Sequence, residues 1–96
     1  MYIIELTYKV SLDRVDSFLE SHVDYLNEQY ELGHFQASGR KVPRTGGIIL
    51  STLSDRNKLE AIIDKDPFKI NNLADYTVTE FVPSKTSEEF NFLKEV

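Results

Sequence analysis

Residues 2–31 read YIIELTYKVSLDRVDSFLESHVDYLNEQYE, and this stretch changes its hydrophobic period once, at Ser11. Before that point the chain alternates. Tyr2, Ile4, Leu6, Tyr8 and Val10 fall on one side and Ile3, Glu5, Thr7 and Lys9 on the other, the pattern of a strand with one well-buried face. After Ser11 the spacing becomes three or four, through Leu12, Val15, Leu19, His22, Leu26 and Tyr30. Ser11 suits an N-cap and Asp13 the positive end of the helix dipole, so the pattern predicts one long amphipathic helix ending near Gly33. Asp16, Glu20, Asp24, Asn27, Glu28 and Glu31 form its solvent face.

Downstream, Phe35–Ser38 and Gly47–Leu53 read as strands joined by the irregular loop GRKVPRTG, residues 39–46. Ser54 and Asp55 open a second helix with Leu59, Ile62 and Ile63 facing inward, and Pro67 stops it. From Asp75 to Pro83 the chain alternates again, with Tyr76, Val78, Glu80 and Val82 opposite Thr77, Thr79 and Phe81. Thr86 and Glu89 have capping-box spacing for a short helix in the tail, residues 83–96. The order β-α-β-β-α-β is that of the α+β ferredoxin-like fold, in one domain over residues 1–96 with its core at about 2–82. Two helices cover only one face of such a sheet. The other, mixing apolar and small polar residues, meets water or a second copy, and a back-to-back homodimer enclosing a partly polar cavity is the economical arrangement.

Eleven Lys and Arg stand against sixteen Asp and Glu, a net charge of −5 that opposes a general binder of phosphate backbones. Nucleic acid is thus not expected as a partner. No apolar stretch reaches membrane-spanning length and no basic segment precedes a signal-like core, so the expected location is the cytoplasm, with no membrane contact. With no Cys, disulfides, thiolate zinc sites and cysteine nucleophiles are excluded. HExxH, GxxxxGK and GxGxxG are absent too, and two His without matched spacing do not make a metal site; neither metal nor cofactor is expected.

His22 sits in the apolar stripe where a plain core would carry Leu or Ile. A buried imidazole needs partners for its nitrogens, and its ordinary pKa near 6.5 suits general acid or base work. The alternative is a core histidine bonded to a backbone carbonyl. Asp66 reads as the C-terminal end of the second helix, where the dipole disfavours a carboxylate by up to about 1 kcal/mol. An imidazole is the natural offset, and the pairing would fix its tautomer; a solvated helix stop is the other reading. Between Glu31 and Asp55 there is no acid, while Arg40, Lys41 and Arg44 add +3, so the rest of the chain carries −5 minus 3, or −8. That basic loop, ending in Gly46-Gly47, suits a small carboxylate or enolate, or simply pairs with acidic faces. Ser38 offers a hydroxyl without a neighbouring base. His34, just after Gly33, reads as a cation at a helix C-terminus.

The run Ser21-His22-Val23-Asp24-Tyr25-Leu26, the segment Ala37-Ser38-Gly39 leading to Val42-Pro43-Arg44-Thr45-Gly46-Gly47-Ile48-Ile49, and Asp66-Pro67-Phe68 together resemble the YciI-like, YCII-related family of small dimeric α+β proteins, over about Tyr2 to Val82. The resemblance implies a ferredoxin-like fold, a dimeric α+β barrel, and an active site around a His and Asp dyad, here His22 and Asp66. Arg40 stands where many relatives have Pro after Ser-Gly, which adds a cation beside the implied pocket.

The expected function is cofactor-independent acid-base catalysis of the lyase, dehydrochlorinase or isomerase kind. His22, oriented by Asp66, would move a proton on a small anionic cyclic or unsaturated metabolite held by Ser38, Arg40 and Arg44. A non-catalytic metabolite-binding or interaction module of the same fold is the alternative, and oxygenase chemistry on an electron-rich ring is a third.

Overall fold

The computed structural model describes residues 1–95. Strand β1 (Tyr2–Tyr8) leads to helices α1 (Leu12–Asp16) and α2 (Leu19–Glu31), then to β2 (Ala37–Arg40) and β3 (Gly46–Ser51). Helices α3 (Arg56–Ile63) and α4 (Pro67–Ile70), strand β4 (Ala74–Glu80) and a 3-10 helix, Glu88–Glu95, complete the chain. The sheet order is β2-β3-β1-β4 with every neighbouring pair antiparallel, the ferredoxin-like arrangement.

Register assigns the faces. Ile4 lies opposite Ile49 and Val78, and Leu6 opposite Gly47 and Tyr76, so the side carrying Tyr2, Ile4 and Leu6 is the helix-covered side, and these three are buried. Their core partners come from the helices: Val15, Tyr25, Leu59, Ile62, Ile63 and Phe68. The opposite face carries Ile3, Ile48 and Leu50, half-buried, among the exposed Glu5, Thr7, Thr77 and Thr79. At one point β3 and β1 approach so closely that only glycine fits: a Cβ on Gly46 would stand 1.8 Å from the Leu6 carbonyl oxygen.

Three expectations need correction. The first helix is two helices, because the Ser17 hydroxyl donates back to the Arg14 carbonyl at 2.6 Å and Phe18 leaves helical angles at φ −112°, ψ 4°. The break re-aims the inward stripe. Val15, His22, Tyr25 and Gln29 are buried, whereas Leu12, Leu19 and Tyr30 are exposed. Asp66 does not end the second helix: α3 closes at Ile63, and Asp66 is the N-cap of α4, accepting from the Phe68 amide at 3.0 Å. Its carboxylate therefore faces a helix start, where the dipole favours it. In the tail, Thr86 Oγ1 is buried without a hydrogen-bond partner, so the capping box is not made and the turn is 3-10 from Glu88. The expected tail ran on to Val96, which lies outside the described residues.

Candidate active site

The site begins with the helix break. Restarting at Leu19 turns His22 inward and leaves Leu19, Val23 and Leu26 as one wall of a cleft of about 470 Å³. Strand β1 supplies the apolar floor with Leu6 and Tyr8, β3 adds Ile49, and Phe68 and His22 close the inner end. Ser38, Arg40 and Arg44 line the outer rim.

At the inner end His22 and Asp66, 44 positions apart in sequence, meet: Nδ1 lies 2.8 Å from Asp66 Oδ1. His22 is 9% exposed and Asp66 1%. The ring lies flat on Phe68, centroids 3.9 Å apart and planes 4° from parallel, and Tyr8 meets Phe68 edge-on at 6.0 Å. Asp66 Oδ1 also accepts the Phe68 amide, and Oδ2 accepts the Tyr76 hydroxyl at 2.6 Å. With the Phe68 amide and the Tyr76 hydroxyl both donating to this carboxylate, the geometry suits Nδ1 as its third donor. Nε2 is left as the nitrogen through which the ring meets the cleft. Burial first, then the charge of Asp66, pushes the Tyr76 phenol far up, and burial does the same at Tyr25, whose hydroxyl donates to the Ile62 carbonyl at 2.8 Å. Both phenols stay protonated donors.

The rim is built differently. Ser38 Oγ, on the exposed edge strand β2, and the hydroxyl of Tyr30, from α2, are 2.7 Å apart. Arg44 Nη2 lies 2.5 Å from Asp16 Oδ1, and that guanidinium holds the Asp16 carboxyl below the usual carboxylate range. Lys41 turns away to Glu5 at 2.7 Å. Among the described residues Arg40 pairs with no carboxylate, so of the three cations of the basic loop it is the one available to a ligand. Among the same residues no group of three or more His, Asp or Glu is placed to hold a metal ion.

Residues 1–82 match the YCII-related domain. The chain belongs to the YCII-related family. Among solved structures this YCII-related chain is similar to 5-chloro-2-hydroxyhydroquinone dehydrochlorinase from Burkholderia phenoliruptrix in complex with 2,5-dihydroxybenzoquinone, with a TM-score of 0.70 and 16% identity over 84% of this chain and 93% of that one. At that identity the likeness is one of fold. No curated protein sequence matches the chain. No helix among the described residues is long and apolar enough to cross a membrane.

Sequence reasoning missed four parts of the site. Tyr76 was legible only as one position of an alternating strand, and Tyr8 only as part of the buried face of β1. Phe68 stood in the Asp66-Pro67-Phe68 run, where an aromatic two residues beyond a capping Asp was the available signal. Asp16 was placed on a solvent face, and nothing in its spacing links it to Arg44. His34 is also not the capping cation expected of it: burial, followed by the charges of Lys58 and Lys65, lowers its pKa, and Nδ1 pairs with Gln29 Oε1 at 2.7 Å.

Proposed function

We propose that this chain is a cofactor-independent small-molecule enzyme in which His22, oriented by Asp66, performs acid-base chemistry on a small anionic cyclic or unsaturated substrate. The observation that carries the reading is the 2.8 Å His22–Asp66 bond at the inner end of an apolar cleft whose rim holds Arg40, a cation with no carboxylate partner among the described residues. Leu19, Val23, Leu26 and Phe68 suit the faces of a ring, and Arg40 with Ser38 suits its anionic group. Arg44 contributes once its bond to Asp16 is exchanged for one to the ligand. His22 Nε2 removes a proton from a ring carbon or hydroxyl. In a dehydrochlorination the electron pair left behind forms a double bond as the carbon–chlorine bond breaks and chloride leaves; in an isomerisation the same proton returns to another atom. The solved relative named for dehydrochlorination, with a dihydroxybenzoquinone in its complex, supports the ring substrate class and the lyase reading.

We further propose that the protein works as a homodimer through the uncovered sheet face, on which Ile3, Ile48 and Leu50 are only partly buried by their own chain. Analytical ultracentrifugation tests this: a monomer at high protein concentration contradicts it.

A screen of chlorinated and hydroxylated ring acids and quinols, read by mass spectrometry, tests the reaction. A product formed by the wild type and lost in His22→Gln is expected. Turnover that persists in His22→Gln removes the mechanism, and binding of the same compounds without transformation favours the metabolite-binding alternative.

A further inference from the structure

We propose that Tyr76 is a positioning residue of this site: it holds the second oxygen of Asp66 so that the first stays aimed at His22 Nδ1 and Nε2 stays bare toward the cleft. The inference rests on the proposed pairing of His22 with Asp66 in catalysis and assigns a third residue to it.

The deciding detail is how the donors divide over the carboxylate. His22 Nδ1 and the Phe68 amide both go to Oδ1, at 2.8 and 3.0 Å, while Oδ2 has the Tyr76 hydroxyl, at 2.6 Å. Two donors on one oxygen already resist rotation about the Cβ–Cγ bond; the third, on the other oxygen, anchors the far side of the carboxylate and holds its plane against tilting. Asp66 is 1% exposed, so water does not readily stand in for a missing partner. Tyr76 is placed by its strand. Strand pairing sets it opposite Leu6 in the sheet, and Lys69 Nζ lies 5.7 Å from its ring centroid. The Phe68 amide can only donate, and a buried phenol beside a carboxylate keeps its proton, so neither ever demands a proton from Asp66.

The test uses the full chain without ligand, labelled with 15N-histidine, and reads the tautomer of His22 and the exchange of its Nδ1 proton with water. In Tyr76→Phe that exchange should accelerate about three- to tenfold, the factor expected from losing one hydrogen bond, and the Nε2–H tautomer should grow. Tyr25→Phe removes a similarly buried hydroxyl that donates to Ile62 instead, and it should leave both readouts unchanged. Unchanged readouts in Tyr76→Phe, or equal changes in Tyr25→Phe, overturn the proposal. If Tyr76→Phe does not fold, replacing tyrosine with fluorotyrosine, a stronger donor, should slow the exchange, and no slowing also overturns it. Because no substrate is present, a Tyr76 effect in a protein that turns over no ring acid would keep this inference while ending the enzymatic reading.

Discussion

The two ends of the cleft are made of the same kinds of groups and behave oppositely. At the inner end one carboxylate, buried to 1%, takes three donors from an α-helix, a helix start and a strand. At the rim one carboxylate, Asp16, takes one arginine in water, and Arg40 has no acidic partner among the described residues. A buried carboxylate has to be satisfied by fixed partners, whereas an exposed ion pair contributes little and exchanges readily. The inner end is thus suited to holding a proton at a defined atom, and the rim to accepting ligands of varied shape.

The largest effect should come from the close approach of β3 to β1 at Gly46. Gly46→Ala places a methyl group 1.8 Å from the Leu6 carbonyl oxygen, and separating β3 from β1 should cost more than about 4 kcal/mol, read as insoluble or unfolded protein by circular dichroism. Asp66→Ala should follow at about 3 to 5 kcal/mol in urea unfolding, since it strands His22, the Phe68 amide and Tyr76 together. A loss no larger than for a surface alanine would erase the contrast between the two ends.

Arg40→Gln should leave the melting temperature unchanged and weaken binding of a hydroxylated ring acid about tenfold to a hundredfold by calorimetry, the range for a charge-assisted hydrogen bond. Equal binding would move the anion site elsewhere. The smallest effect belongs to Asp16→Asn. Arg44 depresses the folded-state pKa of Asp16, so its contribution to stability is present above the unfolded carboxyl value near 4 and disappears as pH falls through the folded one. Melting curves of wild type and Asp16→Asn should therefore differ slightly at neutral pH and converge as pH falls below the unfolded carboxyl value; a gap that widens in acid would contradict the pairing.

Many of these features were legible in the residues. Period-two runs gave β1 with its buried face and the alternation of β4, which ends at Glu80 rather than Pro83, and the apolar positions of α3 are buried as their spacing requires. The basic loop stood out because acids are missing around it. What could not be read was the turn at Ser17 and Phe18: a hydroxyl bonding its own helix carbonyl leaves hydrophobic spacing intact while rotating α2 against α1. That rotation converted an expected core stripe, Leu19 and Leu26, into the wall of a cleft. Asp66 illustrates the reverse. Its pairing with an imidazole was argued from an unfavourable helix end that does not exist; the contact is there, but a favourable helix start and a tyrosine hold the carboxylate.

Long-range 15N NMR of neutral His22 in the wild-type protein bears most directly on the account, because it reads which ring nitrogen carries the proton. The proton on Nδ1, with Nε2 bare and its resonance shifting when a ring acid enters the cleft, is the predicted result. A proton on Nε2, or an Nε2 resonance indifferent to every such ligand, would contradict it.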